Sequence, residues 1–133
     1  MEENKKVLAL IVTWNGAAVI RKCLDSLRHS TVPLDIFIVD NNSEDNTTNI
    51  VLDEYPDVIL KMNSENIGFG QANNMGFKYA LENGFDYVMM LNQDTYIEPD
   101  AIQRLALSRN PSSTIPEATG ASLKGTATPT CTA

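Results

Sequence analysis

Four short apolar runs alternate along the chain with segments of helical periodicity, and this alternation restricts the possible folds more than any other feature. The runs cover residues 7–13, 34–39, 58–62 and 87–91. The first is almost continuously apolar, which is typical of a strand covered on both faces of a sheet. Each run is as long as an ordinary strand, and a segment long enough for a helix follows it.

Apolar residues in the intervening segments recur at helical spacing. In the first segment, the spacing i, i+3, i+4, i+7 joins Ile20, Cys23, Leu24 and Leu27. Helices of this length between strands imply right-handed crossover connections. The sequence therefore predicts an α/β fold with a doubly wound, mostly parallel sheet.

Composition divides the chain into two parts. Residues 1–107 hold every aromatic side chain, and we expect them to form one folded domain. In residues 108–133, 19 of 26 positions are Ser, Thr, Ala, Pro or Gly, with Ile115 and Leu123 as the only large aliphatic side chains. Because such a segment buries too little surface to offset its ordering entropy, we predict a tail of low structure, or one foreign to the domain.

Charge and hydropathy exclude several classes of protein. The chain has ten Lys and Arg residues and 17 Asp and Glu residues, which gives a net charge of −7. A nucleic-acid binder needs cationic side chains that displace counterions from phosphates. No run approaches the roughly 20 apolar residues of a membrane span, and the first residues do not resemble a secretory signal. We therefore expect a soluble, cytoplasmic protein with no nucleic-acid partner and no transmembrane segment.

Polar loops follow all four apolar runs, at residues 13–16, 40–46, 63–70 and 92–95. In open α/β sheets, ligands bind beyond the carboxyl ends of the strands. Any one of these loops has a purely structural interpretation, because Asn, Asp, Ser and Gly form turns and cap helices. Four polar loops at the same edge favour a ligand site there.

The residues in these loops indicate the kind of ligand. Asp40, directly at a strand end, suits a ribose hydroxyl or a base N–H group. No Walker lysine is present, and the Gly-rich segment 68–70 does not follow the first strand, so neither common nucleotide fingerprint fits. Lys61 and Lys78 are too few to neutralise a diphosphate. A diphosphate here needs a divalent cation, Mg²⁺ or Mn²⁺, for which Asp94 is an oxygen ligand.

Four motifs stand in a fixed order at the predicted strand ends: Ile-Val-Thr-Trp-Asn at 11–15, Ile-Val-Asp-Asn-Asn-Ser-Glu-Asp at 38–45, Asn-Ile-Gly-Phe-Gly-Gln-Ala-Asn-Asn-Met-Gly at 66–76, and Leu-Asn-Gln-Asp-Thr at 91–95. Each is weak alone. Together, over residues 7–107, they resemble the family 2 glycosyltransferases, inverting enzymes of the GT-A fold. The forms Asp-Asn-Asn-Ser, Gly-Phe-Gly-Gln-Ala-Asn-Asn and Asn-Gln-Asp-Thr look most like the rhamnosyltransferase-like branch, which builds bacterial cell-surface polysaccharides.

The resemblance implies roles for individual residues. The nucleotide pocket would be lined by Thr13, Asn15, Asp40, Asn42, Gly68 and Asn74. Asp40 would accept a hydrogen bond from the base. Asp94 matches the last carboxylate of the family's Asp-x-Asp motif, which holds the divalent metal on the diphosphate. Two departures remove charge: Asn92 replaces the first Asp of that motif, and Asn73 replaces a frequent Arg.

The implied function is donor binding in an inverting transferase that moves a sugar from a UDP- or dTDP-sugar to a glycan or lipid-linked acceptor. A lipid-linked acceptor extends the expected location to a peripheral position at the inner membrane face. An inverting displacement also needs a carboxylate as general base. After Asp100 the only acidic residue is Glu117, so we expect the base to be absent, the chain to be C-terminally truncated, and this chain alone to be inactive.

Two alternatives stay open at this point. A nucleotidyltransferase-like domain usually carries a Gly- and Arg/Lys-rich loop after the first strand, where this chain has Thr-Trp-Asn. A non-catalytic regulatory α/β domain of the receiver kind needs an acidic pair after the first strand and a Lys after a late one. No Lys follows Leu91 until Lys124. Both alternatives are therefore weaker than the glycosyltransferase hypothesis.

Overall fold

Strands and helices alternate through the part of the chain that the computed structural model describes, residues 6–108 and 123–124. The strands are β1 (Val7–Thr13), β2 (Asp35–Asp40), β3 (Ile59–Met62), β4 (Tyr87–Asn92), β5 (Tyr96–Ile97) and β6 (Leu123–Lys124). The helices are α1 (Ile20–Arg28), α2 (Thr47–Glu54), α3 (Phe69–Glu82) and α4 (Ala101–Ser108).

The first four strands form one parallel sheet in the order β3-β2-β1-β4. The central strand is β1, in which Leu10 pairs with Phe37 of β2 and with Met90 of β4. The chain winds outward from β1 to β3 and then returns to the other side of β1, so the winding direction reverses between β1 and β4. The predicted doubly wound parallel fold is confirmed.

Alternate residues of the strands enter two separate cores. Ala9 and Ile11 of β1 pack with α1 and α2, whereas Leu8 and Leu10 pack on the opposite face against α3. All of β1 is buried. Burial on both faces explains why this strand is an apolar run rather than an alternating pattern.

The longest described helix, α3, contacts the central strand β1 through a glycine. Gly76 faces Leu10, and a Cβ atom at Gly76 would lie 2.8 Å from Leu10 Cγ, so only glycine fits this contact.

With 14 residues, α3 is shorter than the roughly 20 residues of a membrane span. Across residues 6–108 and 123–124, no helix is long and apolar enough to cross a membrane.

Two short strands were not predicted. β5 and β6 pair antiparallel, with Tyr96 opposite Lys124 and Ile97 opposite Leu123. Two-residue strands carry no periodic signal, so a sequence pattern cannot reveal them. β6 falls within the segment 108–133 that we predict to be a tail of low structure. The rest of that segment, from residue 109 onward, lies outside the described residues, and the domain division stays a prediction.

Candidate functional site

A cleft of about 590 Å³ opens at the carboxyl edge of the sheet, over the ends of β1 and β4. This is the point where the winding direction reverses, at which open α/β sheets bind their ligands. Residues from all four predicted polar loops line it, among them Trp14, Asn15, Asn41, Asn66, Phe69, Asn92, Gln93 and Asp94. The fold thus brings together loops that are far apart in the sequence.

Asp40 lies beneath this cleft and joins two of its loops. The side chain is 1% exposed, and Thr13, at the end of β1, is 0% exposed. The Asp40 carboxylate accepts hydrogen bonds from the Thr13 hydroxyl at 2.6 Å, the Ser43 hydroxyl at 2.6 Å and the Ser43 backbone N–H at 2.8 Å. Both carboxylate oxygens therefore have partners within the chain.

Asn15 and Ser43 connect the loops after β1 and β2 at the surface. The Asn15 N–H donates to Ser43 Oγ at 2.8 Å, and Asn15 Oδ1 accepts the Glu44 N–H at 2.8 Å. Asn15 has φ of 49° and Asn42 has φ of 68°, backbone conformations that Asn tolerates better than most residues. The Asn residues in these loops thus set the backbone path.

Asp45 forms a second connection between the same loops. Its carboxylate accepts the Ala17 N–H at 3.1 Å, the Thr47 N–H at 3.0 Å and the Thr47 hydroxyl. Partial desolvation opposes ionisation of Asp45, but these hydrogen bonds outweigh it and hold its pKa below the usual value. The Thr47 hydroxyl also accepts the Gly16 N–H at 2.8 Å.

Asn41 connects the loop after β2 to the loop after β3. It is 3% exposed. Its Oδ1 accepts the Asn63 side-chain amide at 3.1 Å and the Ile67 N–H at 3.3 Å, while its Nδ2 donates to the Gly68 carbonyl at 3.2 Å. Sequence reasoning missed this residue. Its position next to Asp40 at a strand end is the signal that could have indicated it.

Two exposed aromatic side chains stand at the cleft. Trp14 is 52% exposed and Phe69 is 47% exposed. The Gln93 side chain holds the Trp14 backbone, because Oε1 accepts the Trp14 N–H at 3.0 Å and Nε2 donates to the Trp14 carbonyl at 3.1 Å. Gly16 leaves room for that amide, since a Cβ there would lie 2.7 Å from Gln93 Cδ.

Asp94 contributes the one carboxylate among the described residues that line the cleft. Across residues 6–108 and 123–124, no three His, Cys, Asp or Glu side chains gather where they could hold a metal ion. Asp94, with the amide oxygen of Asn92 nearby in sequence, offers hard oxygen donors but too few for a metal site made by protein alone, since the Gln93 amide is bound to the Trp14 backbone. This donor set fits Mg²⁺ or Mn²⁺ only when a phosphate-bearing ligand and water complete the coordination.

The structure separates the predicted nucleotide residues, and the predicted metal ligand Asp94, by position. Asn15 and Asp94 line the cleft, whereas Thr13 and Asp40 lie beneath it. Gly68 has φ of 89° and directly precedes α3, a conformation that favours glycine. Asn42 is exposed on its loop, and Asn74 lines a neighbouring cavity instead.

Cys23 provides a test of burial near this edge of the sheet. Burial, with a smaller contribution from the negative charge of Asp94, raises the pKa of the Cys23 thiol to about 12. Because the thiolate is the reactive form, we expect iodoacetamide at pH 8 to alkylate Cys23 at least tenfold more slowly in the folded chain than in urea. Mass spectrometry of the Cys23 peptide measures both rates, and equal rates would contradict the buried position.

An open parallel sheet with a polar cleft at its switch point defines an α/β ligand-binding domain of the nucleotide-binding kind. Residues 9–108 match the family model described as Glycosyl transferase family 2. The chain therefore belongs to the family 2 glycosyltransferases, and the predicted resemblance is confirmed at that level.

Solved structures show the same architecture. The chain is similar to S. aureus TarS 1–349 in complex with UDP-GlcNAc, with 26% identity, a TM-score of 0.66, and coverage of 77% of this chain and 30% of that chain. It is also similar to a Pyrobaculum calidifontis mannosyltransferase in complex with GDP-Man and Mn²⁺, with 25% identity, a TM-score of 0.61, and coverage of 75% and 32%.

GalNAc-T7 with UDP, GalNAc and Mn²⁺ shares the fold at 20% identity, with a TM-score of 0.65 and coverage of 79% and 21%. The chain thus spans about a third or less of the length of these three proteins. No curated protein sequence matches it significantly.

Proposed function

We propose that the cleft is the donor site of a glycosyltransferase and binds a nucleoside diphosphate sugar. The observation that carries this proposal is the meeting of Trp14, Asn41 and Asp94 in one cleft at the switch point of the sheet. An aromatic face, an amide and a carboxylate match a base, its polar edge and a metal-bound diphosphate. The nucleotides in the similar structures, UDP-GlcNAc and GDP-Man, support the ligand class.

At the base end, we assign direct contact to the side chains that reach the cleft. Trp14 offers an aromatic face for stacking. The Asn41 Oδ1 already accepts from Asn63 and Ile67, so its amide offers the base the one N–H that does not donate to Gly68. In this proposal, Thr13 and Asp40 act from beneath by fixing the loops that carry Asn15 and Ser43. Gly68 and Asn42 shape the backbone at the rim. A UDP- or dTDP-sugar remains the expected donor.

At the diphosphate end, the cleft needs a cation from outside the chain. None of its described lining residues is Lys or Arg, whereas Asp94 adds negative charge. A Mg²⁺ or Mn²⁺ ion held by Asp94 and the diphosphate would stabilise the charge of the departing nucleoside diphosphate. Asp94 is thereby assigned to the metal, so no described residue is assigned as the general base.

The finer features of the reaction belong to the same proposal. We propose an inverting transfer to a glycan or lipid-linked acceptor, with the rhamnosyltransferase-like motifs as its support. An acceptor held by a lipid would bring the enzyme to the inner membrane face. No described residue is assigned to the acceptor site or to the carboxylate that would take the acceptor's proton.

Replacing Asp94 with asparagine tests this proposal. We expect Mn²⁺ to strengthen binding of a UDP-, dTDP- or GDP-sugar to the unmodified chain, and expect Asp94→Asn to weaken Mn²⁺-supported binding at least tenfold, about 1.4 kcal/mol. Without metal, Asp94→Asn should bind the nucleotide sugar at least as tightly as the unmodified chain, because a negative charge that repels the diphosphate is removed. Isothermal titration calorimetry with and without Mn²⁺ measures these affinities.

Asp86→Asn is the matched control, because Asp86 precedes the same strand β4 at the opposite edge of the sheet, where its carboxylate accepts the Lys6 N–H. It should leave the response to Mn²⁺ intact. An Asp94→Asn variant that keeps the full Mn²⁺ response would show that the metal is held elsewhere or is not used.

A further inference from the structure

The Gln93 side chain lies between the ends of β1 and β4, where the parallel pairing of these two strands stops. The last paired residues are Val12 and Asn92. Two residues further along each chain, Trp14 and Asp94 would face each other if the pairing continued, but both line the cleft instead. The cleft therefore opens where backbone pairing between the two strands ends.

The Gln93 amide takes the place of the backbone pairing that ends here. Its Oε1 accepts the Trp14 N–H at 3.0 Å, and its Nε2 donates to the Trp14 carbonyl at 3.1 Å. A side-chain amide carries a donor and an acceptor, as a peptide group does, so one side chain bonds both backbone groups of one residue. Trp14 is thus held by its backbone while its side chain stays 52% exposed.

A buried glycine leaves the space that this amide occupies. A Cβ atom at Gly16 would lie 2.7 Å from Gln93 Cδ and 3.2 Å from Gln93 Nε2, so a larger residue would displace the amide. The Gly16 backbone is itself fixed, because its N–H donates to Thr47 Oγ1 at 2.8 Å and its carbonyl accepts the Ile20 N–H at 2.9 Å. The position of the amide therefore depends on backbone that α1 and α2 hold in place.

We propose that Gln93 is a positioning residue, which holds the Trp14 ring where a base can stack on it. The proposal rests on the proposed function for the identity of the ligand, a nucleotide. Gln93 needs no contact with that ligand, because both polar atoms of its amide bond to Trp14. The two bonds fix the backbone from which the ring projects, so binding costs less ordering entropy at the aromatic face.

The affinity for UDP tests this role. Gln93→Met keeps an unbranched side chain of similar size but removes both hydrogen bonds. We expect calorimetry in Mg²⁺ to show at least about fivefold weaker binding of UDP, the lower end of what a stacked base contributes. The same factor is expected for GDP, because stacking does not read the edge of the base.

Gln103→Met is the matched control. Gln103 is partly exposed, as Gln93 is, and its amide also has a partner, since Oε1 accepts the Thr31 hydroxyl at 2.8 Å. It lies in α4 and does not line the cleft. This variant should therefore leave the affinity for UDP unchanged.

A double-mutant cycle separates the positioning of Trp14 from a general structural role. If Gln93 acts through the Trp14 ring, Gln93→Met should weaken UDP binding by less than about twofold in a Trp14→Ala background. Gly16→Ala, which displaces the same amide, should reproduce the loss in the unmodified chain. A loss of equal size with and without the Trp14 ring, or no loss at all, would overturn the positioning role.

A measurement without ligand tests the same role independently of the donor function. Because the Trp14 N–H donates to Gln93, we expect its hydrogen exchange, measured by NMR, to be at least about threefold faster in Gln93→Met than in the unmodified chain. Trp14 is the only tryptophan of the chain, so tryptophan fluorescence anisotropy reports on its ring alone and should fall in the same variant.

The two kinds of measurement decide each proposal separately. If the unmodified chain binds neither UDP nor GDP, while Gln93→Met accelerates exchange at Trp14, the donor site fails and the positioning of Trp14 by Gln93 stands. If UDP binds, while Gln93→Met changes neither the affinity nor the exchange at Trp14, the positioning role is wrong and the donor site stands.

Discussion

Replacing Asp40 with alanine is expected to lower the free energy of unfolding by about 2–4 kcal/mol and to abolish nucleotide binding in the cleft. The carboxylate accepts three hydrogen bonds from Thr13 and Ser43, at 2.6 to 2.8 Å. Alanine would leave those donors without an acceptor in a region where Thr13 is fully buried. The loop that carries Asn15 would then lose its support. Urea unfolding and calorimetry measure the two effects.

Two further variants distinguish the roles that Asp40 could have. Asp35→Ala, at the exposed start of the same strand, should change stability by less than about 0.5 kcal/mol. Asp40→Asn should destabilise less than Asp40→Ala, because the Thr13 and Ser43 hydroxyls can accept from the new amide. If Asp40→Ala keeps full stability and still loses nucleotide binding, then Asp40 contacts the base directly, as the sequence motif implies.

Replacing Gly76 with alanine is the second change with a large expected effect. The added Cβ would lie 2.5 Å from Leu10 Cδ2 and 2.8 Å from Cγ, and Leu10 is 0% exposed, so neither group has space to move. Overpacking of this kind costs about 1–3 kcal/mol, and more than offsets the gain of up to about 1 kcal/mol from helix propensity. We therefore expect a lower urea midpoint.

Gly70→Ala is the matched control in the same helix. A Cβ at Gly70 meets nothing within 4 Å, so this variant should be neutral or slightly stabilising. A double-mutant cycle with Leu10→Ala sharpens the test, since Gly76→Ala should cost little once the Leu10 side chain is shortened. Equal costs in both backgrounds would show that the two residues do not touch.

The site differs in kind from the core that supports it. Core positions such as Ile11 and Leu24 are apolar and buried, and they could be replaced by similar side chains at modest cost. The cleft instead depends on amides and carboxylates that form hydrogen bonds between loops, such as the hydrogen bond from Asn41 to Gly68. Variants that separate stability from binding are therefore most informative at the cleft.

The sequence by itself determined the fold class and the edge at which the site lies. A strand such as β1 is buried on both faces and therefore consists of consecutive apolar residues. Parallel strands also place the loops that follow them at one edge of the sheet. The order of the four motifs was enough to predict the family. Local patterns therefore predict those properties that depend on local composition and chain direction.

Only the tertiary structure decided which of these polar side chains reach the cleft. Asp40 and Asn41 are neighbours in sequence. Asp40 nevertheless lies beneath the cleft and accepts hydrogen bonds from Thr13 and Ser43, whereas Asn41 lines the cleft. The orientation of each depends on the hydrogen bonds of loops that are distant in sequence.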